Sequence, residues 1–178
     1  MAVIADLPDL ARRAAGGEEA ARAELVRELQ PLVVRTARLI VGSGSGAAED
    51  AAQDALVDLL RGLGSLRDPQ AITAWACRIA TRRALRVARR ERLPGPLADT
   101  RVSGVALPRD AEFLAVHEAF YALPRRMRAV AVLRLHFGFS EHEVASIVGC
   151  AVGTVKSQLS QARARLAAAL EPDPKESS

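Results

Sequence analysis

Aromatic residues, lysine and cysteine are all scarce in this chain. Aromatic side chains make up 3% of its 178 residues, although 49% are apolar. A core can form, but it must be built from Leu, Val and Ala. Such side chains suit packed helices better than a sheet, which favours aromatic and β-branched residues. Lysine occurs only at Lys156 and Lys175, so nearly all the basic charge is arginine. Abundant arginine beside abundant alanine suggests GC-rich coding, so the informative point is where the arginines cluster. The two cysteines, Cys77 and Cys150, lie far apart in apolar helical contexts. They read as reduced, buried small side chains, with a redox switch as the alternative. No apolar run approaches the ~18–20 residues of a membrane span. The N-terminus lacks the charged and apolar regions of a signal peptide. The expectation is a cytoplasmic, helical chain without membrane insertion.

What is present is a net charge of +4 and a pI near 9.8, which leans toward a polyanionic partner. Residues 6–92 read as a helical domain with breaks at "AAGGEE", "VGSGSGAAED" and "GLGSLRDPQ". Residues 93–111 hold Pro94, Pro96, Pro108, Gly95 and Gly104 and show no helical period, the composition of a flexible linker. Residues 112–171 are helical again, and 172–178 read as a disordered tail. Strand-like alternation is absent. The expected fold is therefore all-α: two small helical domains joined by a flexible linker, the C-terminal one a helix-turn-helix.

That last expectation rests on "FSEHEVASIVGCAVGTVKSQL". Ser140 followed three residues later by Glu143 is a capping box. Val144, Ile147 and Val148 then share one helical face, and Gly149 fits the left-handed position that ends a helix. A second helix follows, though Ala151 offers no side-chain oxygen to cap it, a shortfall of roughly 1 kcal/mol. In a helix-turn-helix the second helix lies in the DNA major groove. Val155, Leu159, Ala162 and Leu166 make its inward stripe. Thr154, Lys156, Ser157, Ser160 and Gln161 face outward, and these side-chain types can bond base edges. Arg163 and Arg165 flank them, placed for phosphates. The competing reading is the solvated outer face of an ordinary helical hairpin.

A second helix, "TAWACRIATRRALRVARRER", sorts its residues by size and charge. Ala76, Cys77, Ala80, Ala84, Val87 and Ala88 form a small-residue face. Arg78, Arg82, Arg83, Arg86, Arg89 and Arg90 fall together on the opposite one. Coding bias raises the number of arginines but does not sort them onto one side. Like charges at i,i+4 cost stability, so an external anion would relieve them. Trp75 at the end of this face suits stacking on an unpaired base; the alternative is a Trp75 folded into the core.

Three stretches carry a family resemblance. "AEDAAQDALVDLL", "ITAWACRIATRRALRVARR" and "ALPRRMRAVAVLRLHFGFSEHEVASIVGCAVGTVKSQLSQARARL" resemble motifs of the extracytoplasmic-function (ECF) group of bacterial RNA polymerase sigma factors, over roughly residues 10–170. The resemblance implies that the chain directs core RNA polymerase to specific promoters and aids promoter opening. It implies that Glu49, Asp50, Gln53 and Asp54 dock on the clamp helices of the largest polymerase subunit. Residues 64–70 and the helix from Trp75 to Arg90 would capture and open the minus-ten promoter element. Thr154, Lys156, Ser157 and Gln161 would read the minus-thirty-five element, with Arg163 on the backbone. Many members of the group are held inactive by an anti-sigma factor, which makes such a protein a candidate partner. The chain departs from the group's pattern at several positions. Arg82 and Arg86 stand where the group has Asn and Asp. Leu56 and Leu60 replace aromatics, Gln161 replaces an Arg, and Ala151 replaces a capping Ser.

An enzyme is not expected, because His117, His136 and His142 are not set against a nucleophile or a carboxylate pair. His136, His142 and Cys150 lack the paired spacing of a structural zinc site. Neither metal nor cofactor is expected. The alternative function is a helix-turn-helix DNA-binding regulator without sigma activity, which would leave residues 6–92 without a role. A purely protein-binding adaptor would leave the sorted arginine face unexplained.

Overall fold

The computed structural model describes residues 6–42, 46–90 and 111–169, with backbone alone for 88–90 and 111–116. The expected linker, 93–111, lies outside the described residues apart from Ala111, and the expected tail, 172–178, lies wholly outside them. Every described element is helical: α1 (Leu7–Ala15), α2 (Glu19–Val41), α3 (Ala47–Gly62), α4 (Ile72–Arg90), α5 (Ala111–Ala122), α6 (Arg125–Ala131), α7 (Glu141–Val148) and α8 (Val152–Ala168). Two 3-10 turns, Leu63–Ser65 and Pro69–Ala71, carry the chain from α3 into α4, and a wide π-type turn, Val132–His136, follows α6. The first turn after Asp68 is fixed by its own side chain, which accepts a hydrogen bond from the Gln70 amide at 3.0 Å.

Helices α1–α4 pack around Leu25, Leu29, Val33, Leu59, Leu63 and Ile72. Between these lie fully buried alanines, among them Ala11, Ala21, Ala37, Ala51, Ala55, Ala76 and Ala80. Interaxial distance depends on the side chains at the contact, so alanine seams bring helix backbones close. The scarcity of aromatics is thus met by close approach of helices. In the second group, Val130, Leu133, Val144, Ile147, Val155 and Leu159 form one cluster. Leu123, Met127, Ala131 and Ala162 form another.

The two groups are packed together, with α2 and α4 against α6 and α7. Ala129 of α6 packs on Ile40, Val41 and Ala84. Cys77 of α4 is buried in the Val130–Leu133–Val144 cluster, with Leu32 of α2 against the same cluster. Arg128 is 5% exposed and spans the junction. Its guanidinium donates to the carbonyls of Tyr121 and Leu123 and, at 3.2 Å, to that of Ile40 in the last turn of α2. Helix ends leave carbonyls without intrahelical partners, and Arg128 serves three of them from two different domains. The Tyr121 ring lies 4.9 Å from its guanidinium carbon, a cation–π contact. Burial pushes the Arg128 pKa down to about 10.

Candidate nucleic-acid interface

The helix-turn-helix forms as its sequence requires. The Ser140 hydroxyl accepts from the Glu143 amide at 3.2 Å, and the Glu143 carboxylate accepts from the Ser140 amide at 2.7 Å. The two hydrogen bonds from Ser140 hold the Glu143 carboxyl below its ordinary pKa. Gly149 ends α7 at φ 73° and ψ 54°, in the left-handed region. Its amide and that of Cys150 both donate to the Ala145 carbonyl, at 2.9 and 3.1 Å. This reversal lets α8 start within three residues. Ala151 is its N-cap in extended conformation with no side-chain hydrogen bond, so the predicted capping shortfall is real.

On α8, Val155, Leu159 and Ala162 are buried and Leu166 is half-buried. Thr154, Lys156, Ser157, Ser160, Gln161, Arg163 and Arg165 are all exposed. Two of these have neighbours in the chain. The Lys156 ammonium is 3.8 Å from the Glu141 carboxylate, a solvent-exposed pair of little strength. Ser157 donates to the Thr154 carbonyl at 3.0 Å. The outward face is therefore continuous, polar and accessible.

The arginine face of α4 is divided. Arg82 and Arg86 are exposed. Arg83 is turned onto α3, where its guanidinium donates to both oxygens of Asp58 at 2.6 Å and to Asp54 at 2.9 Å. The Asp58 hydrogen bond, opposed by burial, raises the Arg83 pKa above its ordinary value. Arg78 crosses to α7 and donates to the Ser146 hydroxyl at 2.9 Å. Arg89 and Arg90 lie on the last turn of α4, where the backbone alone is described. Trp75 is half-buried and packs against the α1–α4 core. A Cβ added at Gly62 would lie 3.0 Å from its indole Cζ2. A side chain there would press on the indole, which rests on the end of α3 where the turn toward residue 71 begins.

On α3, Glu49 pairs with Arg38 at 2.9 Å, and Asp54 is engaged by Arg83. Asp50 and Gln53 are exposed. Beside them Val57 and Leu60 are 43% and 39% exposed, an apolar outer edge on an otherwise acidic helix. Sequence reading placed the acidic positions but missed Val57, and it missed Asp58 and Ser146 as arginine partners. The (i, i+4) spacing of Asp54 and Asp58 is visible in the sequence. The register that brings Arg83 over both is a tertiary fact. Among the described residues no three His, Cys, Asp or Glu side chains gather as metal ligands.

A capped helix-turn-helix packed on a bundle of four helices defines the class of architecture, that of two-domain sigma-70-type proteins. Comparison with known proteins agrees: residues 25–93 match sigma-70 region 2, and residues 113–166 match sigma-70 region 4. The ECF RNA polymerase sigma factor SigM of Mycobacterium tuberculosis is 35% identical over 153 residues, 85% of this chain and 78% of SigM. The RNA polymerase sigma-H factor of Pseudomonas aeruginosa is 32% identical over 142 residues, 70% of this chain and 74% of that one. Among solved structures, CnrH in complex with the cytosolic domain of CnrY superposes with a TM-score of 0.67 at 26% identity, covering 94% of this chain and 98% of CnrH. RpoE of Bartonella quintana, solved with the anti-sigma factor NepR, gives 0.65 at 24% identity over 85% of this chain and 97% of its own, a likeness of fold. The chain belongs to the extracytoplasmic-function group of RNA polymerase sigma factors. No described helix is long and apolar enough to cross a membrane.

Proposed function

We propose that this sigma factor works as two modules, residues 6–92 and 112–171, joined by residues 93–111. Each module contacts promoter DNA, and the first also contacts core RNA polymerase. The observation that carries the reading is the outward face of α8. Seven polar or basic residues, Thr154, Lys156, Ser157, Ser160, Gln161, Arg163 and Arg165, are exposed together on the second helix of a helix-turn-helix. Thr154, Lys156, Ser157, Ser160 and Gln161 read base edges of the minus-thirty-five element, and Arg163 and Arg165 hold phosphates. Arg82 and Arg86, with Arg78, Arg89 and Arg90, meet the minus-ten element together with residues 64–70. Arg83 acts through α3, and Trp75 supports residues 64–70 from beneath. On α3, Asp50 and Gln53, with Glu49 and Asp54 beside them, dock on the clamp helices of the largest polymerase subunit. The exposed Val57 and Leu60 add apolar contact there. The chain acts in the cytoplasm and makes no covalent bond itself. The complexes solved for its structural relatives support an anti-sigma factor as a further partner.

The test is run-off transcription with purified bacterial core polymerase on a library of promoter fragments. Transcripts that depend on this chain are expected, and their start sites define the promoter. Absence of transcripts together with absence of core binding by residues 1–92 would leave a DNA-binding regulator as the better description.

A further inference from the structure

Within the first domain, the seam between α3 and α4 holds an ion cluster that commits all three guanidinium nitrogens of Arg83. Nε and Nη2 donate to Asp58 Oδ2 and Oδ1, both at 2.6 Å, and Nη1 donates to Asp54 Oδ2 at 2.9 Å. A guanidinium set against two oxygens of one acid is the geometry with which arginine holds a phosphate. Here the oxygens belong to the chain itself.

The two carboxylates are not equivalent. Asp58 takes the fork and is 33% exposed, whereas Asp54 takes one nitrogen and is 58% exposed. Asp54 also belongs to the face proposed to dock on polymerase. With Asp58 in place, Asp54 can turn to another partner while Arg83 keeps two of its three hydrogen bonds. Without Asp58, Arg83 would be held by Asp54 alone.

The seam has a second end. Asp54, Asp58 and Gly62 follow at i, i+4 and i+8, so they share one side of α3. Gly62 meets the Trp75 ring, eight residues before Arg83 on α4. Arg83 and Trp75 therefore clip α4 antiparallel to α3 at two points, and Ala76 and Ala80 between them are buried in the same core. Arg82 and Arg86, one residue before Arg83 and three after it, are exposed. Fixing Arg83 on α3 also fixes which way these two point.

We propose that Asp58 is a positioning residue for the minus-ten strand. It stands in for a phosphate on Arg83, keeps that cation off the strand-facing surface, and leaves Arg82 and Arg86 to face the strand. The inference rests on the sigma-factor reading for the strand, but not for the Arg83 cluster. Held this way, α4 grips fewer phosphates than its sequence carries arginines. Binding to single strands of any sequence grows with each phosphate neutralised. Masking Arg83 therefore limits binding where no promoter is present.

The test is the salt dependence of strand binding. Holoenzyme is assembled from purified bacterial core polymerase and the full chain. Anisotropy of a fluorescent single-stranded oligodeoxythymidylate reports binding between about 50 and about 200 mM salt, with core polymerase alone as blank. Each added phosphate contact steepens log K against log salt by about 0.7, an extra loss of about 2.5-fold in affinity over that range. Arg83→Gln should leave the salt dependence as it is, because the masked Arg83 makes no strand contact. Asp58→Ala should steepen it by one contact, since Arg83 loses its fork while Asp54 faces polymerase. Adding Arg83→Gln to Asp58→Ala should cancel that increase. Glu28→Gln removes an exposed carboxylate of α2 and controls for lost negative charge in general. Helix content is followed by circular dichroism. If Asp58→Ala loses helix, Asp58→Asn decides in its place, with a smaller steepening expected because one oxygen remains against Arg83. A shallower dependence in Arg83→Gln overturns the proposal, because Arg83 would then be a strand contact. So does an Asp58 variant no steeper than Glu28→Gln, or a steepening that survives Arg83→Gln. If the chain fails to bind core polymerase, the sigma-factor reading fails, and the same titrations on the free chain decide whether Arg83 is masked. A chain that binds no single strand, alone or in holoenzyme, overturns the proposal.

Discussion

Individual side chains divide the cations of this protein into those that are engaged and those that are free. Arg83, held bidentately by Asp58 and again by Asp54, is part of the α3–α4 packing. Arg82 and Arg86, one residue before it and three after, point to solvent. A helical wheel cannot separate them, because it assigns a direction around one axis and says nothing of what stands opposite. Lys156 stands between the two groups, at 65% side-chain exposure with a 3.8 Å pairing to Glu141. Lys156→Ala should weaken promoter binding by about 1–3 kcal/mol if the ammonium meets a base edge. Quantitative footprinting of the holoenzyme measures this, and association with core polymerase should be unchanged in a pull-down.

At the level of elements, α7 and α8 were legible nearly in full. Ser140, Glu143 and Gly149 are local signals whose meaning does not depend on the rest of the fold, and each occupies the conformation its chemistry predicts. The capping box makes α7 sensitive to acid. Glu143 has its folded pKa lowered by Ser140, so its contribution is complete above the ordinary glutamate pKa and is lost as pH falls through the depressed value. Thermal melts between about pH 5 and about pH 3 should show a loss of stability that is smaller in Glu143→Gln. The turn depends on one backbone angle. A Cβ at Gly149 would meet nothing within 4 Å, so Gly149→Ala tests conformation alone and should cost about 1 kcal/mol in urea denaturation. Less legible was Trp75, which had two readings in the sequence. The contact with Gly62 that places its ring arises between helices separated by a turn, where no spacing rule applies.

For the molecule as a whole, the sequence indicated two helical units but not that they touch. Cys77 reads in the sequence as a small buried side chain, and Ala129 and Ser146 carry no signal there at all. Only their positions across the junction give them a shared role. Arg128 is the clearest case: in the sequence it is one of three closely spaced arginines, and in the structure it is nearly inaccessible and bonded to carbonyls of both domains. Arg128→Met should destabilise the chain by about 1–3 kcal/mol, because those carbonyls lose their donor inside the protein. Chemical denaturation followed by circular dichroism would measure it.

The alanine seams of α1–α4 also shape how the protein responds to heat. Each alanine fixed in place loses no side-chain rotamer freedom, yet each removes little apolar surface from water. The heat capacity of unfolding scales with the apolar surface exposed, at about 12–15 cal/mol/K per residue for ordinary domains. Calorimetry on this chain should fall at or below the lower end of that range, giving a broad, shallow stability curve. A sigma factor with such a curve would keep nearly the same folded fraction across the temperatures its cell meets, leaving its activity to be set by partners.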